Sequence, residues 1–236
     1  MATNPMKHLR RLPIVGRAIA RTARLVREVG FRGSATYWDN RYRKGGNSGP
    51  GSYGRLAEFK AAIINDIVKK HGIRTVIEFG CGDGHQLELA HYDSYIGFDV
   101  SPKAVEICRA RFAQRANYRF SLVADYAGET ADLTMSLDVI YHLVEDDIFQ
   151  KYMELLFDSS NEFVLLYSPD ASMPEFNTAH VKTRVFSDWV RAHRPHWHVV
   201  ECIKNKFPYD VDSPGETSFS DFHLYRRLEN NIRSSA

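Results

Sequence analysis

Three glycines at alternate positions, Gly80, Gly82 and Gly84, follow a short β-branched apolar run at residues 75–79. Such a run reads as a strand buried on both faces. Glycines placed directly after it allow a tight turn whose backbone approaches a ligand, because a Cβ there would block the turn or the approach. Good helix formers follow at residues 86–90. Strand, glycine turn and helix are how α/β proteins offer backbone N–H groups to a nucleotide-like ligand. The spacing then narrows the choice. A dinucleotide fingerprint needs glycine at position 85, where this chain has His85, and a phosphate loop needs Gly-Lys-Ser/Thr, which is absent.

Further apolar runs end in acids. Residues 95–100 carry Asp99, and an acid at that strand tip can accept both hydroxyl protons of a ribose. Residues 120–126 end in Asp125 and Tyr126, and residues 163–170 end in Asp170. The fourth run and the turn after it, 133–143, hold Asp138, Tyr141 and His142. The first four strand tips of an open α/β sheet face one crevice. His142 lies just past such a tip and titrates near neutrality, which makes it the candidate general base. Asp138 could orient it, bind acceptor hydroxyls or join a metal. The loop 171–182, with Glu175, His180 and Lys182, is the candidate acceptor wall, and His180 is a second base. His193, His196 and His198 match no ligand spacing and read as structural.

The run Glu78-Phe79-Gly80-Cys81-Gly82-Asp83-Gly84, with Asp99 and Asp125 ending the next two strands, resembles class I S-adenosylmethionine-dependent methyltransferases. The resemblance covers roughly residues 37–228. It implies a Rossmann-like α/β fold: a seven-stranded, mostly parallel sheet with a C-terminal antiparallel hairpin and helices on both faces. It implies S-adenosylmethionine as cofactor, with the glycines under its methionine and ribose parts. Asp125 would meet the adenine amino group and Tyr126 flank the ring, while Trp38, Glu78, Cys81, Val100 and Leu137 border the cofactor. Tyr37 and Arg41 of the Y-W-x-x-R-Y segment would meet its carboxylate, a task that suits the arginine fork.

That segment, with G-G-N-S-G and G-S-Y-G-R-L-A-E-F-K-A, is similar to bacterial polysaccharide-pathway enzymes. Among these are sugar O-methyltransferases of the actinobacterial methylmannose polysaccharide type. A sugar or oligosaccharide hydroxyl is therefore the implied acceptor, with Tyr141, Glu145, Asp170 and His180 on its side of the site. Some sugar O-methyltransferases hold a divalent ion between acids after the fourth and fifth strands, a place that Asp138 and Asp170 would fill for Mg²⁺. Two alternatives stand beside this: methylation of a small natural product or amine, for which His142 need not be a base, and a non-catalytic cofactor-binding module that docks through a basic arm.

The elements that must position these residues follow from periodicity. A helix spans 55–71 with Leu56, Phe59, Ile63, Ile67 and Val68 on its core stripe. Ser101 and Pro102 start a helix that runs to about residue 116. Further helices end at 157 and begin at 186, and strands at 199–207 and 218–227 form the closing hairpin. The expected division is an arm at 1–36, a cofactor-capping segment and first helix at 37–72, the main domain at 73–228 and a tail at 229–236.

A length of 236 residues with 44% apolar and 25% charged residues suits one α/β domain with an appendage. Cys81, Cys108 and Cys202 contain no C-x-x-C pair, against a disulfide framework or zinc site and for a reducing, cytoplasmic setting. No stretch approaches the roughly 20 apolar residues of a membrane span. The net charge of +2 is uneven: through Arg32, eight Lys and Arg face Glu28 alone, +7, which leaves about −5 for the remainder. The domain is thus no basic nucleic-acid platform. In the arm, Val15, Ala18, Ile19, Ala23, Val26 and Val29 recur at helical spacing among arginines. This amphipathic helix either packs on its own domain, the favoured reading, or meets a membrane surface or partner. Arg17 interrupts the apolar run from Leu12, against a signal peptide, although an Arg-rich, acid-poor start also resembles a mitochondrial presequence.

Overall fold

Strand β1 (Thr75–Phe79) sends alternate side chains to opposite faces, and both faces are buried: Val76 belongs to one core and Ile77 to the other. In the computed structural model, which describes residues 33–228, four strands lie parallel with it. These form β2 (Ser94–Asp99), β3 (Tyr118–Leu122), β4 (Ala131–Leu137) and β5 (Ser160–Ser168). Strands β6 (Trp197–Ile203) and β7 (Asp221–Arg227) close the sheet as an antiparallel pair on β5. The order is β3-β2-β1-β4-β5-β7-β6. The chain leaves β1 towards β2 on one side, while β4 lies on the other. A crevice therefore opens where the strand order reverses, the usual ligand position in open α/β sheets.

Helices α1 (Ser34–Arg43), α2 (Gly54–His71), α3 (Pro102–Arg111), α4 (Asp146–Asp158) and α5 (Phe186–His193) complete the fold. Ile64 and Ile67 of α2 and Val105 and Cys108 of α3 pack on Val76, Tyr95 and Leu133 of one sheet face. Phe149, Met153 and Phe157 of α4, with Phe186 and Trp189 of α5, cover Ile77 and Val164 of the other. Ser101 caps α3 by accepting the Ala104 N–H, with Pro102 in the first turn. This is the Rossmann-like architecture expected from the resemblance.

Several boundaries differ from those read in the sequence. The segment after the glycines is a single 3₁₀ turn, Gln86–Leu89, not a helix. Asn65 holds the Leu89 carbonyl and the His91 N–H, each at 2.9 Å, and so turns the chain towards β2. Strand β3 stops at Leu122, because Val123–Asp125 forms a 3₁₀ turn as the Tyr126 ring packs on Phe79 and Phe98. Helix α3 ends at Arg111, not near 116, in successive turns through Phe112 and Arg115. Strand β6 begins at Trp197 and ends at Ile203, where Asn205 leaves the ladder to bond Asp221 and the Tyr167 hydroxyl. On α2 the buried stripe is Leu56, Ala57, Lys60, Ala61, Ile64, Ile67 and Val68, with Phe59 and Ile63 only partly covered.

Residues 1–32, which hold the expected amphipathic helix of the arm, and the tail 229–236 lie outside the described residues, while the last residues assigned to the arm, from Ser34, begin α1. No helix among the described residues is long and apolar enough to cross a membrane. Phe157 is fully buried among Trp189, Trp197 and Tyr225. Phe157→Ala is therefore expected to cost about 3–5 kcal/mol in urea denaturation.

Candidate functional site

The glycine turn joins the tips of β1 and β2. The N–H groups of Gly80 and Cys81 both donate to the Phe98 carbonyl, at 2.7 and 3.1 Å. Gly80, Gly82 and Gly84 have φ of 89°, 58° and 74°, the left-handed region that side chains disfavour. Space is a second constraint, since a Cβ on Gly82 would collide with the Ser48 hydroxyl and one on Gly80 with Val139. Asp99, at the tip of β2, accepts the Gly82 N–H through Oδ2 and the Ser101 N–H through Oδ1, both at 2.9 Å. Burial pushes its carboxyl up to about 6, against the pull of those N–H groups. Burial likewise pushes Glu78 up to about 7, opposed by the Tyr95 hydroxyl at 2.6 Å and the Lys60 charge.

Helix α1 and the glycine-rich loop after it cover this turn. The N–H and hydroxyl of Ser34 donate to the Glu145 carboxylate, Ser101 Oγ donates to Asp39, and Tyr42 shares a hydrogen bond with Ser48. Asp83 ties the loop down by accepting the Ser48 N–H and the Tyr53 hydroxyl. Burial alone would raise the Asp83 carboxyl, but these bonds and the His85 N–H outweigh it and hold it below the usual range. Beneath the cover is a cavity of about 330 Å³ whose lining includes Trp38, Glu78, Gly80, Cys81, Gly82, Asp99, Val100 and Leu137 from the expected cofactor set, with Asp138 and His142.

Asp138 follows β4 with φ 59°, the one non-glycine residue at positive φ among the described residues. Its Oδ2 receives the Lys60 ammonium at 2.9 Å, and its Oδ1 the hydroxyls of Ser220 at 3.0 Å and Tyr141 at 3.3 Å. His142 is oriented by a different group. Its Nδ1 lies 2.9 Å from the His180 carbonyl, which can only accept, so Nδ1 carries the hydrogen and Nε2 keeps its lone pair. Burial lowers the ring to about 4, so it is neutral at physiological pH. Trp38 packs edge-on against it at 4.9 Å.

Other expected site residues sit elsewhere. Arg41 is turned to Asn47, bonding its carbonyl and side-chain oxygens. Tyr37 stacks on His180 at 4.5 Å, and Gly84 packs under Phe112 and Cys108. Asp125 is exposed, and Val123 of the same turn lines the cavity in place of Asp125 and Tyr126. Glu145 clasps α1 and Tyr141 buttresses Asp138, so both support the wall. Asp170 receives the Ser187 N–H at 3.0 Å in the first turn of α5. Asp138 and Asp170 are thus engaged separately, and no group of three or more His, Cys, Asp or Glu among the described residues could hold a metal ion. Sequence reasoning missed Lys60, Gln86 and Asp83. The available signal was a lysine on an apolar stripe, four residues from both Leu56 and Ile64.

The cavity thus lies at a sheet reversal of a Rossmann-like fold, floored by a glycine turn and an acid. Residues 76–159, just over a third of the chain, match a family model described as "Methyltransferase domain". A comparison with curated protein sequences found no match. Among solved structures, N-methyltransferase NodS from Bradyrhizobium japonicum WM9, in complex with S-adenosyl-L-homocysteine, is similar with TM-score 0.64 and 14% identity, over 84% of this chain and 100% of that one. Magnesium protoporphyrin IX methyltransferase ChlM from Synechocystis PCC 6803, with bound S-adenosylhomocysteine, gives 0.61 and 13%, over 82% and 98%. The methyltransferase domain of bacterial CtHen1 gives 0.55 and 18%, over 71% and 96%. These likenesses show the fold: a Rossmann-like methyltransferase architecture.

Glu78 makes the site visible in stability. A carboxyl whose folded pKa lies near 7 against 4.5 unfolded stabilises the fold below about pH 4.5, and that contribution is lost as pH rises through 7. Glu78→Gln keeps an oxygen for Tyr95 and removes the charge. Thermal melts are expected to show the variant gaining on the wild type between pH 5 and pH 8, by about 1–3 kcal/mol.

Proposed function

We propose that the chain is an S-adenosylmethionine-dependent methyltransferase that methylates a sugar or oligosaccharide hydroxyl, with His142 as general base. The observation that carries the cofactor reading is the turn at Gly80–Gly84, bound through the Gly82 N–H to Asp99 at the floor of the cavity. Each Asp99 oxygen accepts one backbone N–H and retains acceptor capacity for a ribose hydroxyl. The cavity wall at Val123 offers an apolar surface to a purine. Bound there, S-adenosylmethionine would supply a sulfonium methyl for in-line displacement.

His142 supports the hydroxyl reading. The His180 carbonyl fixes its tautomer, and its position on the cavity wall allows Nε2 to take the acceptor's proton as the oxygen–methyl bond forms and the carbon–sulfur bond breaks. Trp38 packs edge-on against the His142 ring, and the loop tied down by Asp83 covers the glycine turn. No step is assigned to Mg²⁺, since the Asp138 oxygens are taken by Lys60, Ser220 and Tyr141. The sugar acceptor rests on the resemblance of the Tyr37–Tyr42, Gly45–Gly49 and Gly51–Ala61 segments alone.

Transfer of labelled methyl from S-adenosylmethionine to a panel of sugars, amines and small phenols, with and without EDTA, tests the reading. Labelled sugar with unchanged yield in EDTA is expected, and label only in amines would overturn the hydroxyl acceptor. His142→Ala is expected to lower turnover about 10²- to 10⁴-fold while leaving S-adenosylhomocysteine affinity nearly unchanged. A base with pKa about 4 stays unprotonated above that pH, so the acid limb of kcat/KM for the wild type should fall near pH 4, not near 6.5.

A further inference from the structure

Two polar side chains of the cavity wall have hydrogen-bonding capacity that the described residues leave unfilled. Lys60 is 1% exposed, and its ammonium spends one hydrogen on Asp138 Oδ2 at 2.9 Å, with the Tyr167 ring centroid 5.3 Å away. An ammonium has three hydrogens to give. Gln86 donates through Nε2 to the Ala57 carbonyl at 3.0 Å, which fixes the orientation of its amide. Its Oε1 is buried and receives no hydrogen bond among the described residues. Both side chains line the same cavity, and the Ala57 carbonyl that holds Gln86 lies one turn before Lys60 on α2.

Buried polar groups left in this state call for a partner. The charges around them select it. A simple anion would meet Lys60 but also the carboxylates of Asp138 and Glu78, and a simple cation would meet Lys60 as a repulsive neighbour. A group that carries both charges fits, with a carboxylate to accept from Lys60 and an ammonium to donate to Gln86 Oε1. Arg41, the sequence-based choice for a carboxylate, is committed to Asn47.

We propose that Lys60 and Gln86 form a receptor for the zwitterionic α-amino acid end of a ligand. The inference rests on the cofactor reading above, in which that end is the methionine part of S-adenosylmethionine. The carboxylate then forms a charge-assisted hydrogen bond with a buried ammonium, the strong kind of hydrogen bond.

The test compares two ligands by calorimetric titration of the full-length protein. S-adenosylhomocysteine has the amino acid end, and 5′-methylthioadenosine keeps the nucleoside and thioether without it. Lys60→Met alone would strand the Asp138 charge, so the variant is Lys60→Met with Asp138→Asn, referred to Asp138→Asn alone and checked by thermal melting. Gln86→Leu is the independent second variant. Each is expected to weaken S-adenosylhomocysteine about 10- to 100-fold and to leave 5′-methylthioadenosine within about twofold. Unchanged affinity for S-adenosylhomocysteine would overturn the proposal and assign the unfilled groups to a buried water. An equal loss for both ligands would also overturn it, because the residues would then act through the shape of the cavity. Wild-type protein that binds neither ligand would instead remove the cofactor reading, and this proposal with it.

Discussion

The hydrogen bond from the Gly82 N–H to the Asp99 carboxylate is the contact on which the site depends. It links the tip of β2 to the turn leaving β1, beside the point where the strand order reverses between β1 and β4. A buried carboxylate is costly unless hydrogen bonds replace its water, and here the N–H groups of Gly82 and Ser101 do so. The same bond holds Gly82 in a left-handed conformation that Ser48, pressing from the covering loop, reserves for glycine. Backbone, acid and cover thus specify one another. Replacing any one of them disturbs the other two.

The opposite wall is built from side chains. Asp138 adopts a left-handed conformation that costs a residue with a Cβ about 1 kcal/mol. Its N–H reaches the Tyr167 carbonyl at 2.9 Å, and its carboxylate gathers Lys60, Ser220 and Tyr141. These bonds tie α2, the turn after β4 and the approach to β7 to a single carboxylate. His142 is held from a third direction by the loop that carries His180, and Trp38 closes over it from α1. The side at Gly82 and Asp99 therefore rests on backbone geometry, whereas the side at Asp138 and His142 rests on side-chain contacts drawn from separate loops.

That division explains what the sequence revealed. The glycine spacing, Asp99, the strands themselves and the closing hairpin were legible because each follows from local backbone demands or strand periodicity. Asp138 and His142 were legible as strand-tip residues, but their partners were not. Orienting His142 was one of three roles open to Asp138, four residues away, and the ring is in fact oriented by the His180 carbonyl across 38 residues. Lys60 was hidden because periodicity treats a lysine as solvated, and only its place between Leu56 and Ile64 hinted at burial. Asp125 was misplaced relative to the cavity by a 3₁₀ turn that ends β3 early. The expected metal pair failed to converge because Asp170 is held by the start of α5.

The most direct measurement is a crystal structure of the protein with S-adenosylhomocysteine. The account predicts the ligand in the cavity beneath Trp38, with both ribose hydroxyls on Asp99, its sulfur over the glycine turn and the Gly82–Asp99 bond intact. Ligand bound elsewhere, or in the cavity with Asp99 untouched, would contradict it.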